Sequence, residues 1–273
     1  MKLSLSVRVA ESFSNKREVR IKLQELARIA SLGGYDALCL RASMLGIEDS
    51  AERIAEVTEI LSQNGLSVSM ITGDFAVPEN GDAGPECLRN ITPYLNLAER
   101  VGADLIRICM KTDEDIVWAA RAAAEARERS IRLAHQSHTK SLFETVAGSI
   151  ATVEKVGDEN FGIIYEPANL ALCGEDYGPA TLETFRPFLF NVYLQNHVPE
   201  VGGPQPMATW ARGTIESRLY PLDSGKGIDF DSVFSGLKAI DYTGFVTLHQ
   251  AFDGELEPEA AVARSAQFLR NLM

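Results

Sequence analysis

The 273-residue chain lacks a long apolar run, because no stretch approaches the roughly 18 apolar residues that a membrane-spanning helix requires. Its opening, MKLSLSVRVAESF, also lacks the apolar segment of a secretory signal. Cysteine is sparse: Cys39, Cys87, Cys109 and Cys173 lie far apart with no CxxC spacing. A disulfide framework is therefore not expected. Together these absences predict a soluble protein of the reducing cytoplasm.

Positive charge is scarce as well. The chain has 26 Lys and Arg against 38 Asp and Glu, which gives a formal net charge of −12 at pH 7. A broad nucleic-acid surface or an anionic-membrane surface needs net positive potential, so both kinds of partner are disfavoured. An anionic ligand would have to be held by a few local arginines or lysines.

Short apolar runs alternate with longer segments of helical periodicity along the whole chain. Eight strands and about eight helices in alternation are typical of parallel strands joined by right-handed crossovers. A doubly wound open sheet usually carries a glycine-rich loop after its first strand, but residues 10–14 contain no glycine. With no linker to divide the chain, the sequence predicts one α/β domain over residues 1–273, a single (β/α)8 barrel. The one long irregular stretch, residues 199–227, has a length that is usually functional.

In such a barrel the active site lies at the carboxyl ends of the strands. The predicted fifth to eighth strands end in polar segments at residues 133–138, 165–169, 193–197 and 248–250. All four histidines, His135, His138, His197 and His249, fall within these segments or at their ends. Because side chains alternate along a strand, Gln136 and His138 share one face while His135 points to the other.

Four of these residues form a candidate metal site, namely Gln136, Glu166, His197 and His249. One carboxylate, two imidazoles and an amide oxygen suit Mn²⁺, Fe²⁺, Co²⁺ or Zn²⁺. They suit Mg²⁺ or Ca²⁺ poorly, since those ions prefer mostly oxygen ligands. The competing interpretation is that each histidine is a hydrogen-bonded structural residue.

Two arginines, Arg41 and Arg107, lie within otherwise apolar strands. An unpaired buried charge costs several kcal/mol, so each arginine either pairs with a neighbouring acid or binds a substrate carboxylate or phosphate. Lys111 and Asn169, close to the strand ends, are further candidate substrate-binding residues. Aromatic side chains that are candidates to wall the pocket are Phe13, Phe75 and Trp210.

Five short motifs occur in a characteristic order along the chain. They are GYDA at 34–37, QSH at 136–138, EPANL at 166–170, GKGIDF at 225–230 and DYTG at 241–244. Through them the sequence resembles the xylose isomerase-like barrels, which include sugar isomerases and epimerases with relatives among endonucleases, dehydratases and oxo-acid decarboxylases. The resemblance covers nearly the whole chain and implies a (β/α)8 fold, a divalent metal ion and commonly a homo-oligomer.

The metal ligands of that family differ from the residues found here. The family usually uses two glutamates, an aspartate and a histidine. By resemblance Gln136 takes the place of the first glutamate, Glu166 that of the aspartate, and His249 that of the last glutamate. The family's histidine falls near Tyr193, with His197 further along the same face. One carboxylate of three remains, so ordinary two-base epimerisation is compromised.

Three functions remain open. The first is a divalent-metal-dependent isomerase or epimerase that forms an enediolate from a small, anionic sugar or oxo sugar acid. Glu166 would then be both ligand and base, with His138 or His197 as the proton partner. The second is a 3-oxo sugar acid decarboxylase, a lyase of carbohydrate catabolism that needs no abstracting base. The third is a non-catalytic or metal-free binding subunit.

Overall fold

The computed structural model describes residues 1–12, 15–73, 83–251 and 257–273, so Phe13 and Phe75 lie outside the described residues. The strands are β1 (Lys2–Ser6), β2 (Ala37–Leu40), β3 (Ser67–Thr72), β4 (Leu105–Ile108), β5 (Arg132–Gln136), β6 (Phe161–Tyr165), β7 (Leu189–Leu194), β8 (His197–Pro199), β9 (Gln205–Thr209), β10 (Gly213–Leu219) and β11 (Phe245–Leu248). The α-helices are α1 (Leu23–Leu32), α2 (Ala51–Gln63), α3 (Glu86–Arg89), α4 (Thr92–Val101), α5 (Asp113–Glu128), α6 (Val146–Val156), α7 (Pro167–Cys173), α8 (Pro179–Phe185), α9 (Phe230–Ala239) and α10 (Pro258–Leu272).

Eight of the strands close into a parallel barrel in the order β1-β11-β7-β6-β5-β4-β3-β2. Each neighbour pair is parallel, and the register of β1 against β11 aligns Lys2 with Phe245 and Leu5 with Leu248. Helices connect successive barrel strands, as parallel pairing requires. The predicted α/β class and single (β/α)8 barrel are confirmed.

Helix boundaries follow local chemistry. Ser50 accepts a hydrogen bond from the Arg53 amide at the start of α2, and Asp229 does the same for the Ser232 amide at the start of α9. Such side chains satisfy amides that have no partner within the helix. Gly102 follows α4 with φ of 72°, a left-handed conformation that glycine adopts without steric cost.

The stretch predicted to be irregular is partly regular. After β7 the chain forms a three-stranded antiparallel sheet in the order β8-β10-β9. Pairing of Gly213 with Thr209 closes the β9–β10 hairpin around a short turn. The prediction of a loop over 199–227 was wrong for 205–219 because the hairpin partners are local and half-exposed, and such strands carry little apolar signal.

The core has two parts. Most buried apolar side chains pack between the strands and the surrounding helices. A smaller cluster fills the barrel interior and consists of Cys39, Met70, Leu105, Ala134, Ile164 and Tyr193. All four cysteines are buried. Within the described ranges, no helix is both long and apolar enough to cross a membrane.

Candidate active site

Strand alternation puts polar side chains directly above the interior cluster. Residues two apart on a strand point to the same side, so a residue two positions after an interior one also faces the barrel axis near the carboxyl end. The interior residues Cys39, Leu105, Ala134, Ile164 and Tyr193 are followed in this way by Arg41, Arg107, Gln136, Glu166 and Gln195. The sequence therefore builds its polar cluster on five different strands or strand ends.

A cavity of about 220 Å³ opens at this end of the barrel; we call it the mouth. The residues that line it are Arg8, Lys16, Arg41, Arg107, Gln136, His138, Asn169, Gln195, His197, Met207, Leu219, His249 and Ala251. Seven of the nine predicted site residues are among them. Glu166 lies beneath the lining, and Lys111 is not among the described lining residues.

Glu166 is fully buried and holds three side-chain amides, which we call the amide triad. Gln136 Nε2 donates to its Oε2, Asn169 Nδ2 donates to Oε2 at 2.7 Å, and Gln195 Nε2 donates to Oε1 at 2.5 Å. Burial raises the pKa of the Glu166 carboxyl to about 7, although these amides and the nearby Arg107 oppose the shift. At neutral pH the Glu166 carboxyl is therefore close to half protonated.

Four cationic side chains face the mouth: Arg8, Lys16, Arg41 and Arg107. The buried Glu11 forms an ion pair with two of them, at 2.8 Å from Arg41 Nε and 3.6 Å from Arg8. Burial, together with Arg41, Arg8 and Arg107, lowers the pKa of the Lys16 ammonium to about 8. In a chain of net charge −12, the mouth is a local concentration of positive charge.

Two histidines of the mouth are held neutral. His138 Nδ1 lies 2.8 Å from the Thr139 carbonyl, so Nδ1 carries the proton and Nε2 is the acceptor. Burial, with Arg107, lowers its pKa to about 3. His249 stacks on Tyr193 with ring centroids 4.0 Å apart, and its Nδ1 is 3.0 Å from Ser6 Oγ. Burial and the surrounding cations lower the pKa of His249 well below its usual range.

The other two histidines make structural contacts, a ring stack for His135 and a hydrogen bond for His197. His135 is buried and stacks on Phe143 with ring centroids 4.1 Å apart, as its predicted outward orientation requires. His197 lies in β8 of the three-stranded sheet, and its Nε2 is 2.8 Å from Ser217 Oγ. It touches the edge of the mouth, but the inward end of β7 is occupied by Gln195.

Two predicted residues lie to the side of the mouth. Lys111 Nζ donates to the Lys140 carbonyl at 3.2 Å, so the loop after β5 holds its ammonium. Trp210 is 52% exposed at the tip of the β9–β10 hairpin, where its amide donates to the Glu144 carboxylate at 2.7 Å. Substrate binding by Lys111 stays a prediction.

The residues present do not fit a divalent metal ion. The one carboxylate of the set already accepts three N–H donors, and the groups around the cavity are mainly cations and N–H donors rather than anionic ligands. His197 uses its Nε2 for a hydrogen bond to Ser217. Across the described part of the chain, no three His, Cys, Asp or Glu side chains are grouped to hold a metal. The predicted set Gln136, Glu166, His197 and His249 does not form a metal-binding arrangement.

Three residues of the site were missed from the sequence: Arg8, Glu11 and Lys16. Only Arg8 carried a usable signal, because it continues the alternation of Ser4 and Ser6. Gln195, the alternative to His197 in the sequence interpretation, is the residue that binds Glu166. Glu11 and Lys16 follow the first strand in an irregular segment. No periodicity predicts the direction of their side chains.

A closed parallel barrel with a polar cavity at the carboxyl ends of its strands is the arrangement in which (β/α)8 enzymes carry their sites. The family model described as the xylose isomerase-like TIM barrel matches residues 26–272, and the chain belongs to that family. No curated protein sequence matches the chain.

Solved structures with the same fold include three of different description. A probable 3-DHS dehydratase from Bacillus anthracis has 16% identity and a TM-score of 0.74, with 99% of each chain covered. A D-allulose 3-epimerase from Methylomonas sp. has 14% identity and a TM-score of 0.71, with 100% of this chain and 98% of that one covered. A xylose isomerase-like barrel protein from Mycobacterium smegmatis, in complex with magnesium, has 16% identity and a TM-score of 0.69, covering 99% and 96%.

Proposed function

We propose that this protein is an enzyme that acts on a small anionic sugar or oxo sugar acid through an enediolate intermediate. The observation that carries the proposal is the mouth itself, a small cavity lined by four cationic side chains above a buried carboxyl. Guanidinium and ammonium groups bind carboxylate or phosphate, and they also stabilise the negative charge that develops on an enediolate. Solved structures of similar fold described as a sugar epimerase and a dehydratase support a sugar-like substrate.

Isomerisation or epimerisation is the first candidate reaction, as the sequence predicts. It needs a group that moves a proton between substrate atoms. His138 lines the mouth with Nε2 as its acceptor nitrogen, and the buried Glu166 carboxyl accepts hydrogen bonds from Gln136, Asn169 and Gln195 of the same lining. A substrate hydroxyl that replaced Gln195 Nε2 on Glu166 Oε1 would bring that carboxylate into contact with the substrate. The metal-dependent form of this reaction has no support in the donor set.

Decarboxylation of a 3-oxo sugar acid is the second candidate. It is favoured by one observation: among the described lining residues there is no carboxylate. Loss of CO₂ leaves an enediolate without proton abstraction, so N–H donors and cations are sufficient for that step. The further alternative of a binding subunit uses the same cavity without turnover. The predicted homo-oligomer and cytoplasmic location stay predictions.

Solvent-exchange measurements test the proposal. Chelator-treated protein is incubated in D₂O with a panel of keto and oxo sugar acids, alongside the Glu166→Gln variant. Deuterium at carbon without CO₂ release indicates isomerase or epimerase chemistry, whereas CO₂ release without exchange into remaining substrate indicates the decarboxylase. If the acids bind but give neither deuterium exchange nor CO₂, the protein is a binding subunit and not an enzyme for them. Activity that returns only with added Mn²⁺, Fe²⁺, Co²⁺ or Zn²⁺ would contradict the metal-free form.

A further inference from the structure

The Gln136 side-chain amide makes a hydrogen bond through its nitrogen but not through its oxygen. Its Nε2 donates to the Glu166 carboxylate, but no described residue donates to its Oε1, which is buried. Gln136 is 2% exposed and lines the mouth. A buried acceptor left without a donor is unfavourable, so a native structure that keeps one usually supplies the donor from a ligand or from water.

The orientation of this amide is fixed by its neighbours. The amide group is planar, so the bond from Nε2 to Glu166 also sets the direction of Oε1. A rotation by half a turn would bring Oε1 against the carboxylate and remove one of its three donors. The unsatisfied oxygen is therefore a consequence of the triad that Glu166 holds together.

The surroundings limit what the donor can be. Arg8, Arg41 and Arg107 offer only N–H groups to a ligand, and Lys16 is a further donor. These cations repel an ammonium or a metal ion, so the group that binds Gln136 Oε1 has to be neutral. A hydroxyl is the neutral donor that an anionic sugar derivative carries.

We propose that Gln136 is a specificity-determining residue, whose Oε1 accepts a hydrogen bond from a hydroxyl of a hydroxy-carboxylate ligand. The carboxylate of the same ligand binds the cations of the mouth. This inference rests on the proposed function, since it assumes an anionic ligand there, and it names Gln136 as the residue that recognises a hydroxyl of that ligand.

Calorimetric titration of the chelator-treated protein with matched acids tests the inference. Glycerate carries one hydroxyl on its α carbon and one on its β carbon, whereas propionate has the same chain length and charge with none. Tartrate and succinate form a second pair with two carboxylates. We expect each hydroxylated acid to bind about 10- to 100-fold more tightly than its partner, because only the former satisfies the buried acceptor.

The matched control is on the opposite side of the triad. Gln136→Met and Gln195→Met each remove one amide donor from Glu166, but only the first removes the unsatisfied oxygen. We expect Gln136→Met to lose the preference for the hydroxylated acids and Gln195→Met to keep it.

Equal binding of the two acids of each pair to the wild type would overturn the inference and leave the proposed function standing. It would mean that water alone satisfies Gln136 Oε1. Failure of all four acids to bind would contradict the anionic ligand, and with it both proposals. The wild-type comparison decides the matter even if a variant fails to fold.

Discussion

The two ends of the barrel use buried polar side chains in different ways. At the amino-terminal end, Ser4 and Ser69 share a hydrogen bond of 2.6 Å, and Thr247 donates to Asn191 at 3.1 Å. These four neutral residues, which we call the floor, satisfy one another in pairs. At the mouth four cationic side chains lie close together above the buried Glu166 carboxyl, and Gln136 Oε1 has no donor among the described residues.

This difference indicates that the polar groups of the floor stabilise the barrel, whereas those of the mouth serve to bind a ligand. Paired neutral groups at the floor need nothing from outside, so they stabilise the barrel whether or not a ligand is present. At the mouth, burial raises the pKa of Glu166 to about 7, and burial together with the neighbouring cations lowers that of Lys16 to about 8. Perturbed groups that converge on a cavity are typical of functional sites.

The largest expected effect is on turnover. Glu166→Gln removes the carboxylate that holds the amide triad and can exchange protons, so we expect activity to fall by roughly a thousandfold. Thr247→Val at the floor should leave turnover within about twofold, since it acts on stability alone. Steady-state rates of the two variants on the acid found by the exchange screen measure this contrast. A comparable loss of turnover in the two variants would contradict the distinction between the mouth and the floor.

Stability should depend on pH through Glu166. Its folded pKa is above the unfolded value, so the folded state holds the proton more tightly, and stability falls as pH rises from about 4.5 to about 7. The loss amounts to about 3 kcal/mol. Urea unfolding of wild type and Glu166→Gln at pH 4.5 and 7.5 isolates it. A difference between the two proteins that does not change with pH would contradict the raised pKa.

Two histidines make the folding stability depend on pH in the opposite direction. His138 and His197 have folded pKa values of about 3 and 4, below the unfolded value near 6.5. Their contribution is complete above pH 6.5 and is lost as pH falls toward the folded values, because the unfolded chain then binds the protons. The comparison with Glu166→Gln is therefore needed to separate the two trends.

An arginine at each end provides the third contrast. Arg107→Ala should raise KM for acidic substrates by about 10- to 100-fold, because a charge-assisted contact is lost, with less effect on neutral sugars. Arg132→Ala at the amino-terminal end removes an ion pair of 3.0 Å with the exposed Asp104. That variant should leave KM unchanged. Equal effects on acidic and neutral substrates would assign Arg107 to structure instead.

The pH dependence of kcat/KM should be bell-shaped. Proton abstraction by Glu166 needs the carboxylate, which forms above about pH 7, and capture of an anion is favoured while Lys16 is protonated, below about pH 8. A profile with no limb near pH 7 would move the role of base to His138, whose pKa is about 3.

The smallest expected effect is at the floor. Thr247→Val keeps the side-chain shape but leaves Asn191 Oδ1 without its donor, at a cost of about 1 to 2 kcal/mol in the free energy of unfolding. Urea denaturation measures it, and the affinity for glycerate should not change. Weaker glycerate binding in this variant would show that the two ends are coupled.

Sequence periodicity was sufficient for the barrel because its strands are apolar and its helices amphipathic in strict alternation. It was also sufficient for Arg41, Arg107 and Gln136, which follow interior positions by two residues. The positions of the histidines predicted the site residues less well. His197 lies in a sheet that carries little apolar signal, and its place at the strand end belongs to Gln195.

Charge and hydrogen-bond direction could not be read from the sequence. The choice between metal ligand and hydrogen-bond donor for Gln136 depends on the position of its amide relative to Glu166, which is a tertiary property. Lys16 and Glu11 lie in an irregular segment, where no period fixes the direction of a side chain. With these residues the site favours the anionic ligand proposed above, and not the metal ion that the sequence also predicts.

Elemental analysis of the purified protein tests most directly the claim that this site does not bind a divalent metal ion. Wild type and Glu166→Ala are measured side by side after equilibration with Mn²⁺, Fe²⁺, Co²⁺ or Zn²⁺ and removal of free ions. We expect no stoichiometric metal in either protein, because Glu166, the carboxylate of the predicted ligand set, already accepts amide donors and the described lining of the mouth is rich in cations. About one ion per chain in the wild type, lost in Glu166→Ala, would contradict the account and restore the metal site predicted from the sequence.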